Sequence, residues 1–325
     1  SETHPLLSSL DEFADFEIAG TVPGRAVTLT SVKGAYARDA LRSGISMSHS
    51  EGFNPLKFGV IGSSDSHNAT SPSDEAGYTG KLPMIDGSAG LRTGEAGIGL
   101  VQMTPARQWG SGGLAGVWAP ENSRAALFDA MQRRETFATS GPRIIVSLFG
   151  GWGFPEGTAN AAAFDTVSRA HGVPMGANLP QAPDAAALPE FVVVAQSDPH
   201  GANLDRIQMI KGWVDASGVS HEKVVDLAWS GSRVVDPLTG KLPPVGSTVD
   251  AERATYANTI GTSQLRAQWR DIEFEPAQEA FYYVRVLEIP TPRWSTFDAV
   301  QLGSKPMKPA AIQERAISSA IWYQP

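Results

Sequence analysis

Two short motifs carry the densest chemistry in this chain. Asp65-Ser66-His67 sets a carboxylate and an imidazole two residues apart. In an extended segment residues i and i+2 point the same way, so both side chains would project together beyond a strand end, and both are ligands for zinc, manganese or iron. The same spacing suits a polar loop whose Asp caps a turn. Glu2-Thr3-His4 repeats the carboxylate and imidazole pattern, with a frayed terminus as the alternative to a second ligand pair. His49, close to Glu51, follows a helix and either reaches the same mouth or stands on a surface loop. His171, His200 and His221 lie in or near turns and are assigned structural or solvent roles. In Pro290-Thr291-Pro292-Arg293-Trp294-Ser295 a rigid turn lets Arg293 offer a bidentate contact to an anion beside Trp294. The other tryptophans share no spacing and are assigned mostly to the core.

Several chemistries are excluded. With no cysteine, the chain has no disulfide, thiolate nucleophile, Cys-ligated zinc or iron–sulfur cluster. Gly-x-Ser-x-Gly, Walker and His-Glu-x-x-His motifs are missing, and the glycine clusters do not join a strand to a helix as a dinucleotide site requires. A net charge of −8 without a basic run argues against nucleic acid. No apolar run reaches the 18 or so residues that span a bilayer, so a soluble protein with no membrane partner is expected. The lack of cysteine favours a periplasmic or secreted location over a cytoplasmic one. The chain starts at Ser1 with neither a basic nor an apolar leader, which is read as a cut or trimmed start.

Periodicity supplies the elements that must position these residues. A helix is expected over Gly34–Gly44, ending at Gly44, and a buried strand over Phe58–Ile61, delivering the Asp65-Ser66-His67 loop. Residues 68–119 read as a long excursion, suited to a lid. A helix capped by Asn122 or Ser123 runs to Arg134, burying Ala126, Leu127, Ala130 and Met131, and a strand covers Arg143–Phe149. Beyond a proline-rich seam, Phe191–Ala195, Arg206–Val214, Lys223–Trp229 and Phe281–Ile289 read as strands of a sandwich-like domain. The expected division is 1–150, a connector at 151–189, and 190–325.

Four segments in order carry a family resemblance: Ser1–Ser8, Lys57–Asn68, Arg134–Ile144 and Glu288–Ser295. Together they resemble the bacterial domain of unknown function 3604, which is similar to the polymerase and histidinol phosphatase (PHP) superfamily. The resemblance implies an α/β fold: the C-terminal half of a distorted PHP-like (β/α)7 barrel, followed by the β-rich sandwich-like domain. It implies two or three divalent metal ions, zinc, manganese or iron, with Asp65 and His67 matching a late Asp-x-His ligand pair and Glu2 and His4 at a further ligand position. The superfamily opens with His-x-His, which this chain lacks, so the remaining ligands are expected from an N-terminal segment of the same precursor. The function expected is a metal-dependent, phosphoesterase-like hydrolase of a small-molecule substrate, using a metal-activated water that Asp65 or Glu2 orients. Arg293, Trp294 and His49 are the candidate substrate contacts. The alternative is a catalytically degenerate barrel with a β-domain that binds carbohydrate or serves assembly.

Overall fold

The computed structural model describes residues 1–18, 32–67, 69–82, 86–93 and 109–325. In chain order the helices and strands are α1 (Ala37–Glu51), α2 (Ala89–Thr93), β1 (Leu114–Val117), α3 (Arg124–Gln132), β2 (Thr136–Thr139), β3 (Ile145–Gly151), α4 (Phe164–His171), β4 (Gly172–Pro174), β5 (Glu190–Gln196), β6 (Leu204–Val214), β7 (Ser220–Trp229), β8 (Gln264–Arg270), β9 (Ala280–Glu288), β10 (Thr291–Pro292), α5 (Trp294–Leu302), β11 (Ala311–Ile312), β12 (Arg315–Ser318) and β13 (Ile321–Tyr323).

Two antiparallel sheets face each other. The larger has the order β1-β2-β12-β9-β6-β7, with β13 also on β9, and the smaller has β4-β3-β5-β8. The alternation of side chains along a strand explains both layers. Ile207 and Met209 of β6 and Tyr282, Val284 and Val286 of β9 turn inward, meeting Val146, Leu148, Phe191 and Val193 of the smaller sheet. Ile210, Phe281 and Tyr283 turn outward and pack under Leu41 and Ile45 of α1. The sheet is therefore covered on both faces, and β9 is buried along its whole length.

The β-rich part agrees with the sequence reading: β5, β6, β7 and β9 coincide with the four expected strands to within a few residues. Among the described residues nothing supports the half-barrel. Among the described residues of 1–150, every strand pairing is antiparallel, and both sheets draw strands from either side of residue 150. The strand expected at Phe58–Ile61 is an extended segment outside the sheets, tied by Val60 N–H to Ser319 Oγ at 2.9 Å. Helix α1 runs through Gly44 and stops at Gly52, which takes the left-handed conformation at φ 81°. Gly44 is needed for a different reason: a Cβ there would collide with the Asn54 side chain. In α3, capped by Ser123 Oγ as expected, only Ala130 is buried and Met131 is exposed. The expected lid holds α2 and β1, and its residues 94–108 lie outside the described ones.

Candidate functional site

The Asp65-His67 turn is positioned by the edge of β1. Gly62 N–H donates to Leu114 O at 3.0 Å and Gly113 N–H to Ser63 O at 3.1 Å. The approach needs Gly113, since a Cβ there would lie 2.6 Å from Thr139 O and 3.0 Å from Ser63 N. Beyond it, Asp65 takes a left-handed conformation, φ 53°, which Asp tolerates. The extended i, i+2 geometry expected for Asp65 and His67 is therefore replaced by a turn. Its side chain is 72% exposed and ion-paired with Lys81 Nζ, whose hydrogen bond and charge hold the carboxyl below its usual range. His67 N–H donates to Lys81 O at 2.9 Å, pinning the turn to the segment that carries Lys81. His67 Nδ1 lies 2.8 Å from Asp65 O. A carbonyl only accepts, so Nδ1 carries the hydrogen, which leaves Nε2 as the ring nitrogen that can face a ligand. One exposed carboxylate and one Nε2 suit part of a metal shell and are too few for a whole one. Among the described residues, no group of three or more His, Asp or Glu is arranged to hold a metal ion.

Beside this turn lies a cavity of about 220 Å³, lined by Ser63, Ser64, Ser66, Lys81, Trp109 and Glu17 among others. Lys81 Nζ sits 5.0 Å over the Trp109 ring. Glu17 is the unusual group: burial and the charge of Glu75 push its carboxyl up to about 7 against the pull of Arg293, whose Nε is 3.5 Å away. Glu75 accepts from the backbone N–H of Ser111 at 3.1 Å and of Trp294 at 2.6 Å. A third carboxyl, Glu314, is raised well above its usual value by burial and by Glu75 and Glu17, and bonds Ser140 Oγ. The buried Tyr78 hydroxyl, also on the cavity wall, has no hydrogen-bond partner among the described residues. The sequence reading missed Glu17, Glu75 and Glu314. They come from three distant segments, and no spacing links them.

The other expected residues go elsewhere. Glu2 is buried, 2.7 Å from both Arg38 Nη2 and Arg285 Nη1 and 3.9 Å from Arg315 Nη1. Burial opposes its ionisation, but the three arginines outweigh this and hold it far below the usual range. His4 Nδ1 accepts from Leu6 N–H at 3.1 Å, and its ring lies 5.4 Å from that of Tyr36. His49 is exposed in the last turn of α1, facing Gly218 in the β6–β7 turn. Arg293 does reach the acidic cluster, through Glu17, and Trp294 is buried with Nε1–H on Trp109 O at 2.7 Å.

These features define a two-sheet β protein carrying a polar, serine-rich cavity, with the Glu17 carboxyl on its wall, next to an exposed Asp–His turn. The chain belongs to the family described as protein of unknown function (DUF3604), whose model matches residues 1–325. Neither the curated proteins nor the solved structures contain a match. Among the described residues, no helix is long and apolar enough to cross a membrane.

Proposed function

We propose that this chain is the cavity-bearing part of a divalent-metal-dependent hydrolase acting on a phosphate ester in the periplasm or outside the cell. Asp65 and His67 Nε2 would hold metal, with further donors from an N-terminal segment of the same precursor. A metal ion bound there would polarise the ester and lower the pKa of water. The observation that supports the reading is the buried Glu17 carboxyl, whose pKa is pushed up by burial and by Glu75, in the cavity shared with Ser64 and Ser66, the immediate neighbours of Asp65.

In this reading the chain's own groups divide the work. Glu17, protonated up to about pH 7, donates a proton to the leaving group. Burial and then Glu75 favour its protonated form, and Arg293 lies beside it at 3.5 Å. The Ser63, Ser64 and Ser66 hydroxyls and the unpartnered Tyr78 hydroxyl orient the substrate oxygens. Lys81, bonded to Asp65, positions the turn and adds positive charge to the cavity wall.

The test is release of inorganic phosphate from glycerol 2-phosphate, whose alkoxide leaving group needs a proton, by the chain joined to the proposed N-terminal segment, with zinc or manganese added. Glu17→Gln should lower kcat about 100-fold or more and remove the alkaline limb of the pH profile. Failure of either metal to stimulate hydrolysis of this or any other ester would overturn the proposal.

A further inference from the structure

A second hollow, of about 910 Å³, lies on the outer face of the four-stranded sheet. Its volume is near the top of the range for small-molecule sites. One end of that face is covered, because Phe149 and Val192 pack with Phe154 and with Phe164 of α4. The other end is open, and its floor is Ser147 of β3, Val194 and Gln196 of β5, and Arg266 of β8. Trp118, Arg133 and Arg169 of α4 also line it.

We propose that this groove binds an acidic oligosaccharide, one bearing carboxylate or sulfate groups. Its charge is opposite to that of the chain as a whole. Three guanidinium groups, Arg133, Arg169 and Arg266, meet two carboxylates, Glu135 and Asp165, within a chain of net charge −8. Glu135 is buried and lies between Arg133 Nη2 at 3.4 Å and Arg169 Nη2 at 2.5 Å, which fixes both arginine heads at the rim. Arg133 stays reachable, with its side chain 52% exposed, while Arg169, 41% exposed, also spends its Nε on both oxygens of Asp165 at 3.1 and 2.9 Å and contributes mainly its charge. Arg266 is held by Nη1 on Ala159 O at 2.6 Å and Nε on Gln264 Oε1 at 3.0 Å. Planar guanidinium forks match carboxylate and sulfate bidentately. Trp118 is anchored by Nε1–H on Val146 O at 2.9 Å, which leaves a half-buried ring in the wall. An aromatic wall, a serine hydroxyl and an amide beside the arginines suit a polyhydroxylated ring better than a bare ion.

The groove is separate from the Asp65 cavity. Leu114 pairs with Thr139 and Val117 with Thr136, so the two strands β1 and β2 have a shared pair of ends. Residues 62 and 63 meet the Leu114 end, whereas Trp118 and Glu135 continue from the other.

Titration calorimetry on the full chain compares four probes: oligogalacturonate, heparin-derived oligosaccharide, neutral cello-oligosaccharide and sodium sulfate. Tight binding of either acidic oligosaccharide is expected, with Arg133→Ala and Arg266→Ala each weakening it about tenfold and Arg133→Glu more. Which acidic probe binds decides between carboxylate and sulfate. Equal binding of the neutral sugar, equal binding of sulfate alone, or no binding of either acidic sugar overturns the proposal, as do variants that fold normally and bind unchanged. Binding is read without metal or turnover, so the result is independent of the proposed hydrolase.

Discussion

At Glu17, burial and the charge of Glu75 act in one direction, and the carboxyl keeps its proton to about pH 7 instead of 4.5. A carboxyl whose folded pKa is raised favours the native state fully below its unfolded pKa, and that contribution is lost as pH rises to and through the folded one. Stability should fall between about pH 4.5 and 7, by on the order of 3 kcal/mol from this residue. Denaturant titrations of wild type and Glu17→Gln across that window check this: the variant should lose less stability, and parallel curves would contradict it. Glu2 and Asp11 act with the opposite sign. Both are buried, both are held low by Arg285 and Arg38, and their contribution is lost as pH falls below about 4. Removing Arg285 leaves two buried carboxylates short of charge, so Arg285→Met should cost about 3–5 kcal/mol at neutral pH and much less in acid. Equilibrium unfolding at the two pH values measures the difference.

At the scale of elements, α1 shows how packing overrides local signals. Gly44 looks like a helix stop, yet the helix continues because Leu41 and Ile45 bury against Ile210, Phe281 and Tyr283, while Asn54 packs where a Cβ would be. Gly44→Ala should therefore destabilise by about 1–3 kcal/mol through overpacking, although alanine is the better helix former by about 1 kcal/mol. In an Asn54→Ala background the same substitution should become neutral or stabilising, as a double-mutant cycle would show. The sandwich strands were legible because each holds its alternation between turn signals. Phe58–Ile61 has the apolar content of a strand but takes its contacts from Ser319 and the edge of β1. The Asp65–His67 motif was likewise legible, since its two residues are adjacent in sequence. The role of Glu2 was not legible in the sequence because three distant arginines, not its own neighbours, set its surroundings.

At the scale of the molecule, the two sheets interlace early and late strands. β2 lies beside β12, and β3 beside β5, so the carboxyl-terminal strands lack their neighbours without residues 114–151. A fragment of residues 190–325 should fail to fold cooperatively, whereas the full chain should retain protected amides in β6 and β9. Hydrogen exchange on both checks this, and a stable fragment would contradict it. The functional account depends on a narrower point, namely that Asp65 and His67 bind metal. Elemental analysis of the native protein, together with the proposed N-terminal segment, tests that most directly. The account predicts bound zinc, manganese or iron that is lost in Asp65→Asn and His67→Gln, both exposed substitutions. Protein that contains no divalent metal, or that keeps it in both variants, would contradict the account.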